Sequence, residues 1–294
     1  MAVETSPGPT RRSLLAPVTG RLRQIALLRE SPVGMVGAAL VLFWALVALF
    51  APFLAPYDPN ANDYLALADP TPSAEHWLGT DNQGRDMLSR VIWGSRTVLT
   101  VAPIAVICAY VIGCLFGLLA GYYRGWMDTV MMRIADIILS FPVIILYIII
   151  IATYGPSAAN IVIAVTFTAA PQIIRIVRGL TLEIRERDYV AAAKMRGEST
   201  WYIMLVEILP NARGPLIVDA CLRMGYTIIA IGVLGFLGLG LPPPDPDWGG
   251  MVKDTYGFMS IWPHMALIPC AAISSLVVGF NLLADGLREI SLRD

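Results

Sequence analysis

Charge is what this sequence has least of. Asp, Glu, Lys and Arg make up 15% of its 294 residues, where a soluble domain carries about 25%. Hydrophobic residues make up 56%, and mean hydropathy is +0.66. Such a chain has too few polar groups to cover an apolar surface in water, so lipid is its natural solvent. Lysine occurs only at Lys194 and Lys253, and neither follows glycine. A phosphate-cradling P-loop needs Gly-Lys followed by Ser or Thr, so neither lysine marks a nucleotide site. Net charge is −1, with no basic stripe and no interleaved aromatics, which gives no footing for nucleic acid.

Sulfur and imidazole are equally sparse. Cys108, Cys114, Cys221 and Cys270 all sit in apolar segments without C-x-x-C spacing, and read as small apolar residues. His76 and His264 are far apart in sequence and form no metal motif. No Ser/His/Asp or Cys/His set is arranged for catalysis. The residues point to no metal, cofactor or enzyme activity.

What is present is a series of long apolar runs. A membrane span needs about 20 mostly apolar residues. Six segments qualify: 33–54, 98–120, 130–153, 158–177, 216–241 and 265–283. Arg133 and Asp136 fall in the first turns of the third, and Tyr154-Gly155-Pro156 makes a tight turn after it. Arg11-Arg12 precedes Leu14-Leu15, as in a twin-arginine export signal. Pro17, Gly20, Arg21 and Arg23 interrupt the apolar core such a signal needs, so residues 1–30 read as a basic cytoplasmic tail. Sixteen of the 21 Lys and Arg residues fall on one side of these spans. The excess of positive charge places both termini and the long 178–215 connection in the cytoplasm.

The division expected is a tail over 1–30, a first span with an outer segment over 31–97, and a five-helix core over 98–290. Two outer segments are sizeable, 56–96 and 242–264. Trp248, Tyr256, Phe258 and Trp262 suit a headgroup-level position, and part of 242–264 lies in the interface or re-enters. The G-x-x-x-G at Gly121–Gly125 is expected in a loop, while Gly117 and Gly121 fit the same pattern near the end of the second span. Gly232, Gly235, Gly238 and Gly240 permit close helix approach.

The connection over 180–213 reads LTLEIRERDYVAAAKMRGESTWYIMLVEILPNAR. Leu182–Met195 is compatible with helix, and Ala191, Ala192 and Ala193 are strong helix formers with little bulk. Gly197 can end that helix with positive φ. Trp201–Leu209 is a second helical stretch, stopped by Pro210. A small-faced helix at a membrane surface invites another protein to pack on it.

This segment resembles the E-A-A-x3-G-x9-I-x-L-P motif of binding-protein-dependent ABC importer permeases. Ala192, Ala193, Gly197, Leu209 and Pro210 occupy motif positions. Ala191 stands where the family has its acid and Glu207 where it has Ile; Glu183, Glu186 or Asp188 is left to supply the charge. The strings HWLGTDNQGRDMLSRVIWGSRTVL (76–99), GYYRGWMDTVMMRIADIILSFP (121–142), GLGLPPPDPDWGGM (238–251) and FNLLADGLRE (280–289) look like the dipeptide, oligopeptide and nickel branch, in particular its C-type permease.

The resemblance implies an all-α, six-helix type I importer permease in a bacterial or archaeal plasma membrane. It implies a second homologous permease, two cytoplasmic ATP-binding subunits docked on the coupling segments, and an extracytoplasmic substrate-binding protein. The transported solute would be a peptide, nickel or another small solute.

Two charge pairs lie at span ends. Asp219 and Arg223 stand at i,i+4 in the favoured order, either as a polar wall of the pathway or as a pair snorkelling at the cytoplasmic interface. Asp285 and Arg288 close the last span as a structural or subunit contact. Outside, Asp81, Arg85 and Asp86 either meet a binding protein or fold the loop on its own charges. The alternative function is an ion-driven secondary transporter, for which inverted repeats and midplane ionisable residues are the expected marks.

Overall fold

The structure is a computed structural model and describes residues 31–291. The expected tail, with Arg11, Arg12, Arg21, Arg23 and Arg29, and also Arg293, lie outside the described residues. Five helices are long and apolar enough to span a membrane, or six if one bent pair counts as a span.

Helix α1 covers Pro32–Leu49. Proline at its first position loses no hydrogen bond, and Ser31 Oγ accepts from the Gly34 N–H at 3.3 Å. A short α2, Ala51–Leu54, follows. Helix α3, Met87–Tyr123, begins eleven residues before the expected Val98. Asp86 sets that start, accepting from the backbone N–H and the hydroxyl of Ser89, each at 2.7 Å. At 1.5 Å per residue α3 is about 55 Å long, well beyond a hydrocarbon core of about 30 Å.

The third expected span is not one helix. It divides into α4, Gly125–Leu139, and α5, Val143–Tyr154, which meet at 84°. Pro142 has no N–H to donate and disfavours helix at Phe141, so the chain turns there. Helix α4 is held to α6 (Ala158–Ile184) by two ion pairs. Arg178 binds Asp128 with two donors, Nη2 reaching Oδ2 at 2.6 Å, and Arg175 binds Asp136.

The connection that follows holds α7, Asp188–Met195, and α8, Thr200–Tyr202, which runs on as a π-helical stretch over Ile203–Ile208. Helix α9 (Arg213–Phe236), a short α10 (Trp248–Thr255) and α11 (His264–Ser291) complete the bundle. Among the described residues there is no strand, only two isolated bridges, Asn62 with Arg85 and Thr80 with Asp86.

The closest pairing is between α3 and α6. Gly113, Gly117 and Gly121 line the α3 face and admit Ile173, Val177 and Thr181 of α6. A Cβ on Gly117 would stand 2.6 Å from that of Val177. Gly121 is thus inside a helix and in a seam, as its spacing from Gly117 near the end of the second span suggested, and only its pairing with Gly125 goes unused.

Buried side chains form two cores. One joins Trp44, Met87, Val98, Ile151, Ile161, Trp248 and Leu276. The other joins Leu118, Val177, Val190, Ala193, Ile203, Met204 and Ile208. Large apolar side chains such as Leu42, Phe43, Ile107, Val111 and Ile163 are exposed. So extensive an apolar surface is the mark of a protein that meets lipid or another subunit.

The end of the bundle opposite α7 is capped by residues 55–86 and by α10. Here Asp81, Arg85 and Asp86 are buried, and the loop folds on its own charges. Arg85 Nε donates to Asp81 at 2.7 Å, and Arg90 Nε stands 3.5 Å from the same carboxylate. His76 Nδ1 and Asp86 Oδ1 are 2.9 Å apart, and His76 Nε2 is 3.4 Å from Asp63. Trp248 is fully buried inside the protein. Its indole N–H donates to the Val91 carbonyl at 3.0 Å, and its ring meets Trp44 edge-on. Helix α10 therefore packs back on α3, α9 and α11, and the aromatics left exposed are Tyr256 and Phe258.

Two groups make this cap pH-dependent. Asp247 accepts from the Gly249 N–H at 3.1 Å, while its Oδ2 is buried without a partner. Arg85, Arg90, Asp245, Lys253 and Asp254 surround it. Burial pushes its carboxyl up to about 6, against the pull of backbone N–H groups. A raised acid favours the protonated folded form. Its contribution is complete below about pH 4 and lost as pH rises to about 6, about 3 kcal/mol in all. Burial opposes charge on His76, but hydrogen bonds to Asp86 and Asp63 win and raise it above 6.5. Its contribution is likewise lost as pH rises through that raised value. The cap is expected to resist heat and protease better at pH 5 than at pH 8. Thermal unfolding followed against pH checks this: Asp247→Asn should flatten the limb between about pH 4 and 6, and His76→Gln the limb above it.

Candidate functional site

Helices α7 and α8 form a platform at the basic end of the bundle. Helix α6 stops at Ile184, so the expected single helix over 182–195 is broken at 185–187. Arg187 is extended (φ −75°, ψ 148°) and lets α7 turn away from α6. Val190 and Ala193 face inward and, with Ile203, Met204 and Ile208, are buried against the base of α3 and α6. Ala191, Ala192 and Gly197 face outward, and Met195 is 90% exposed. The three alanines thus divide: two present a flat face and Ala193 is an anchor. Leu209 packs partly on the buried core, and Pro210 is exposed where the π-helical stretch ends.

Gly197 turns the chain between the arms with φ +75°, and nothing lies within 4 Å of where its Cβ would be. Its requirement is conformational, not steric. Glu207, which departs from the motif, finds Arg196 Nη2 at 3.5 Å and ties the second arm to the end of the first. Of the acids that could replace the missing one, Glu183 pairs with Arg187 and Glu186 with Arg185. Among the described residues Asp188 forms no ion pair, and it is exposed in the first turn of α7.

The second feature is a polar cluster inside the bundle. Arg223 lies ten residues beyond Arg213, about 15 Å along α9, and is buried. Its Nε donates to Asp219 Oδ2 at 2.6 Å, and its Nη1 to Gln172 Oε1 at 3.1 Å. The Tyr110 hydroxyl donates to the same Asp219 oxygen. Helices α3, α6 and α9 are joined at this point. Tyr110 and Gln172 escaped the sequence reading because they lie 109 and 51 residues from their partners. The available signal was only that each is polar within an apolar run. Arg223 also lines a cavity of about 480 Å³ between α5, α6 and α9. Asp285 and Arg288 are both exposed and form no pair with each other.

Among the described residues no cluster of His, Cys, Asp or Glu is placed to hold a metal ion. All four cysteines are half-buried and free.

Residues 113–293 match the family described as binding-protein-dependent transport system inner membrane component, and residues 23–71 match the N-terminal transmembrane domain of oligopeptide transport permease C. The chain belongs to this permease family. It is 41% identical over 258 residues to a glutathione transport system permease protein of Pectobacterium atrosepticum, covering 87% of this chain and 85% of the relative. It is 40% identical over 265 residues to a dipeptide transport system permease protein of Alkalihalophilus pseudofirmus, covering 89% and 86%. Among solved structures it resembles the MetNI methionine ABC transporter in inward-facing conformations, with a TM-score of 0.58, 21% identity, and 70% of this chain and 97% of that one covered. An amino acid ABC transporter solved with histidines gives a TM-score of 0.53 at 15% identity, covering 78% and 99%. These likenesses show the fold, an all-α importer permease. The permease is a multi-pass membrane protein and a transport component.

Proposed function

We propose that the permease forms, with a homologous sister permease, the transmembrane pathway of an ATP-driven importer of peptides. Two separate ATP-binding subunits sit on the α7 platforms, and an extracytoplasmic binding protein delivers the solute to the capped end. The 178–215 connection and both termini then lie in the cytoplasm of a bacterial or archaeal cell. Residues 98–290 form the core that carries the pathway, and α3, unbroken at 97/98, ties residues 31–97 to it. The relatives named for glutathione and dipeptide transport support the peptide class.

The observation that carries this reading is the division of α7. Its outer face carries exposed Ala191 and Ala192, flanked by Tyr189, Lys194 and Met195, while its inner face is buried in the core that holds α3 and α6. A push on the platform therefore reaches the spans. Moving a two-state pathway from 1:99 to 99:1 takes about 5.5 kcal/mol of differential binding. An interface of a few hundred Å² supplies that order at about 25 cal/mol per Å².

Gly197 offers the test. A β-branched residue at positive φ is strongly strained, whereas Asn tolerates it. Gly197→Val is expected to reduce peptide uptake several-fold at normal membrane abundance, and Gly197→Asn to stay near the parent rate. Uptake by Gly197→Val equal to that of the parent contradicts the coupling role of the turn.

A further inference from the structure

The cavity between α5, α6 and α9 has a chemical polarity that the pathway reading does not itself specify. Its wall is mainly hydrocarbon and aromatic, with Ile144, Tyr147, Val165, Tyr226 and Leu234 on it. Arg223 is the one cation among the described lining residues, and no carboxylate lines it. Asp219, the partner of Arg223, is not on the wall.

A guanidinium carries five N–H donors in a planar fork. Here Nε and one donor of Nη1 are used, on Asp219 and Gln172. The Tyr110 hydroxyl is a further neighbour of the guanidinium. With these contacts made, Arg223 still lines the cavity. A carboxylate matches such donors in geometry and charge, and low-polarity walls strengthen the attraction.

We propose that this cavity is a transient binding site for the carboxylate end of the transported solute, with Arg223 as its donor and the apolar wall as the seat of the solute's side chain. The inference rests on the pathway reading and narrows its substrate class. A peptide or another carboxylate-bearing organic solute fits the site. A bare divalent metal ion does not, since no described lining residue is His, Cys, Asp or Glu and the one charge repels it.

Thiol chemistry in the assembled importer tests this without relying on the binding protein's own selectivity. Cys108, Cys114, Cys221 and Cys270 are replaced by alanine, and Tyr226→Cys is introduced on the cavity wall. Modification rates are compared for an anionic sulfonatoethyl and a cationic trimethylammonium-ethyl methanethiosulfonate. The anionic reagent is expected to gain about tenfold over its ratio at an exposed reference cysteine, by local concentration of anions. Adding Arg223→Gln should remove the gain. The double change Asp219→Asn with Arg223→Gln, which leaves no unpaired charge, should also remove it and guards against a folding defect. Millimolar glycyl-leucine should slow the labelling more than glycyl-leucinamide does. An unchanged reagent ratio with and without Arg223, or equal protection by acid and amide, overturns the proposal and leaves Arg223 a clamp between helices. Charge selection without any peptide uptake by the intact importer would fail the pathway reading instead, so the two failures are distinct.

Discussion

Ala192→Trp is expected to cut peptide uptake about tenfold or more while the permease stays folded in the membrane. Ala192 is exposed on the outer face of α7, so the indole meets nothing in the isolated chain. In the assembled importer it would stand between the platform and the ATP-binding subunit. Overfilling a packed contact costs about 1–3 kcal/mol, and about 1.4 kcal/mol is a factor of ten in affinity. Ala193→Trp makes the contrast. Ala193 is fully buried among Val190, Ile203 and Met204, and a Trp there should lower the amount of folded protein itself. Uptake assays paired with membrane immunoblots separate the outcomes. Normal uptake by Ala192→Trp would remove the outer face from the coupling mechanism.

Trp248→Ala should be the most damaging single change at the capped end. The side chain is fully buried, its indole donates to the Val91 carbonyl, and its ring rests on Trp44. Truncating a buried aromatic to alanine costs about 3–5 kcal/mol, a large share of the 5–15 kcal/mol that typically holds a fold together. Helix α10 should come away from α3, exposing the cap to protease well below the parent's unfolding temperature. Tyr256→Ala, on an exposed residue nearby, should change stability by less than about 0.5 kcal/mol. Limited proteolysis with a temperature ramp reads both.

The contrast between Trp248 and Tyr256 marks where the sequence is legible. Both are aromatics in one Pro-rich segment, and composition alone suits both to the membrane interface. Only tertiary contact with Trp44 and Val91, 204 and 157 residues away, distinguishes them. The apolar runs were readable because each is long enough to span by itself. The break at Pro142 was present in the sequence, yet uninterrupted hydropathy from Val143 to Ile151 concealed it. The early start of α3 was concealed by the charges of Arg90 and Arg96, which read as loop.

On the platform, Gly197 was legible because helix, glycine and helix is a local pattern. The inward turn of Ala193 and the Arg196–Glu207 pair were not, because they depend on where α8 returns. The polar cluster was half legible: Asp219 and Arg223 are one helical turn apart, but Tyr110 and Gln172 come from other helices. Half-buried Tyr110 and exposed Gln172 reach the pair from α3 and α6.

The central claim is that this permease is driven by separate ATP-binding subunits through its α7 platform. The most direct measurement isolates the tagged chain from its native membrane in mild detergent, under conditions shown to preserve a known importer, and identifies every protein that comes with it. The account predicts a second permease and P-loop ATPases, with the ATPases lost from Ala192→Trp. Recovery of the chain alone, with ion-gradient-driven uptake by that chain after reconstitution, would contradict it.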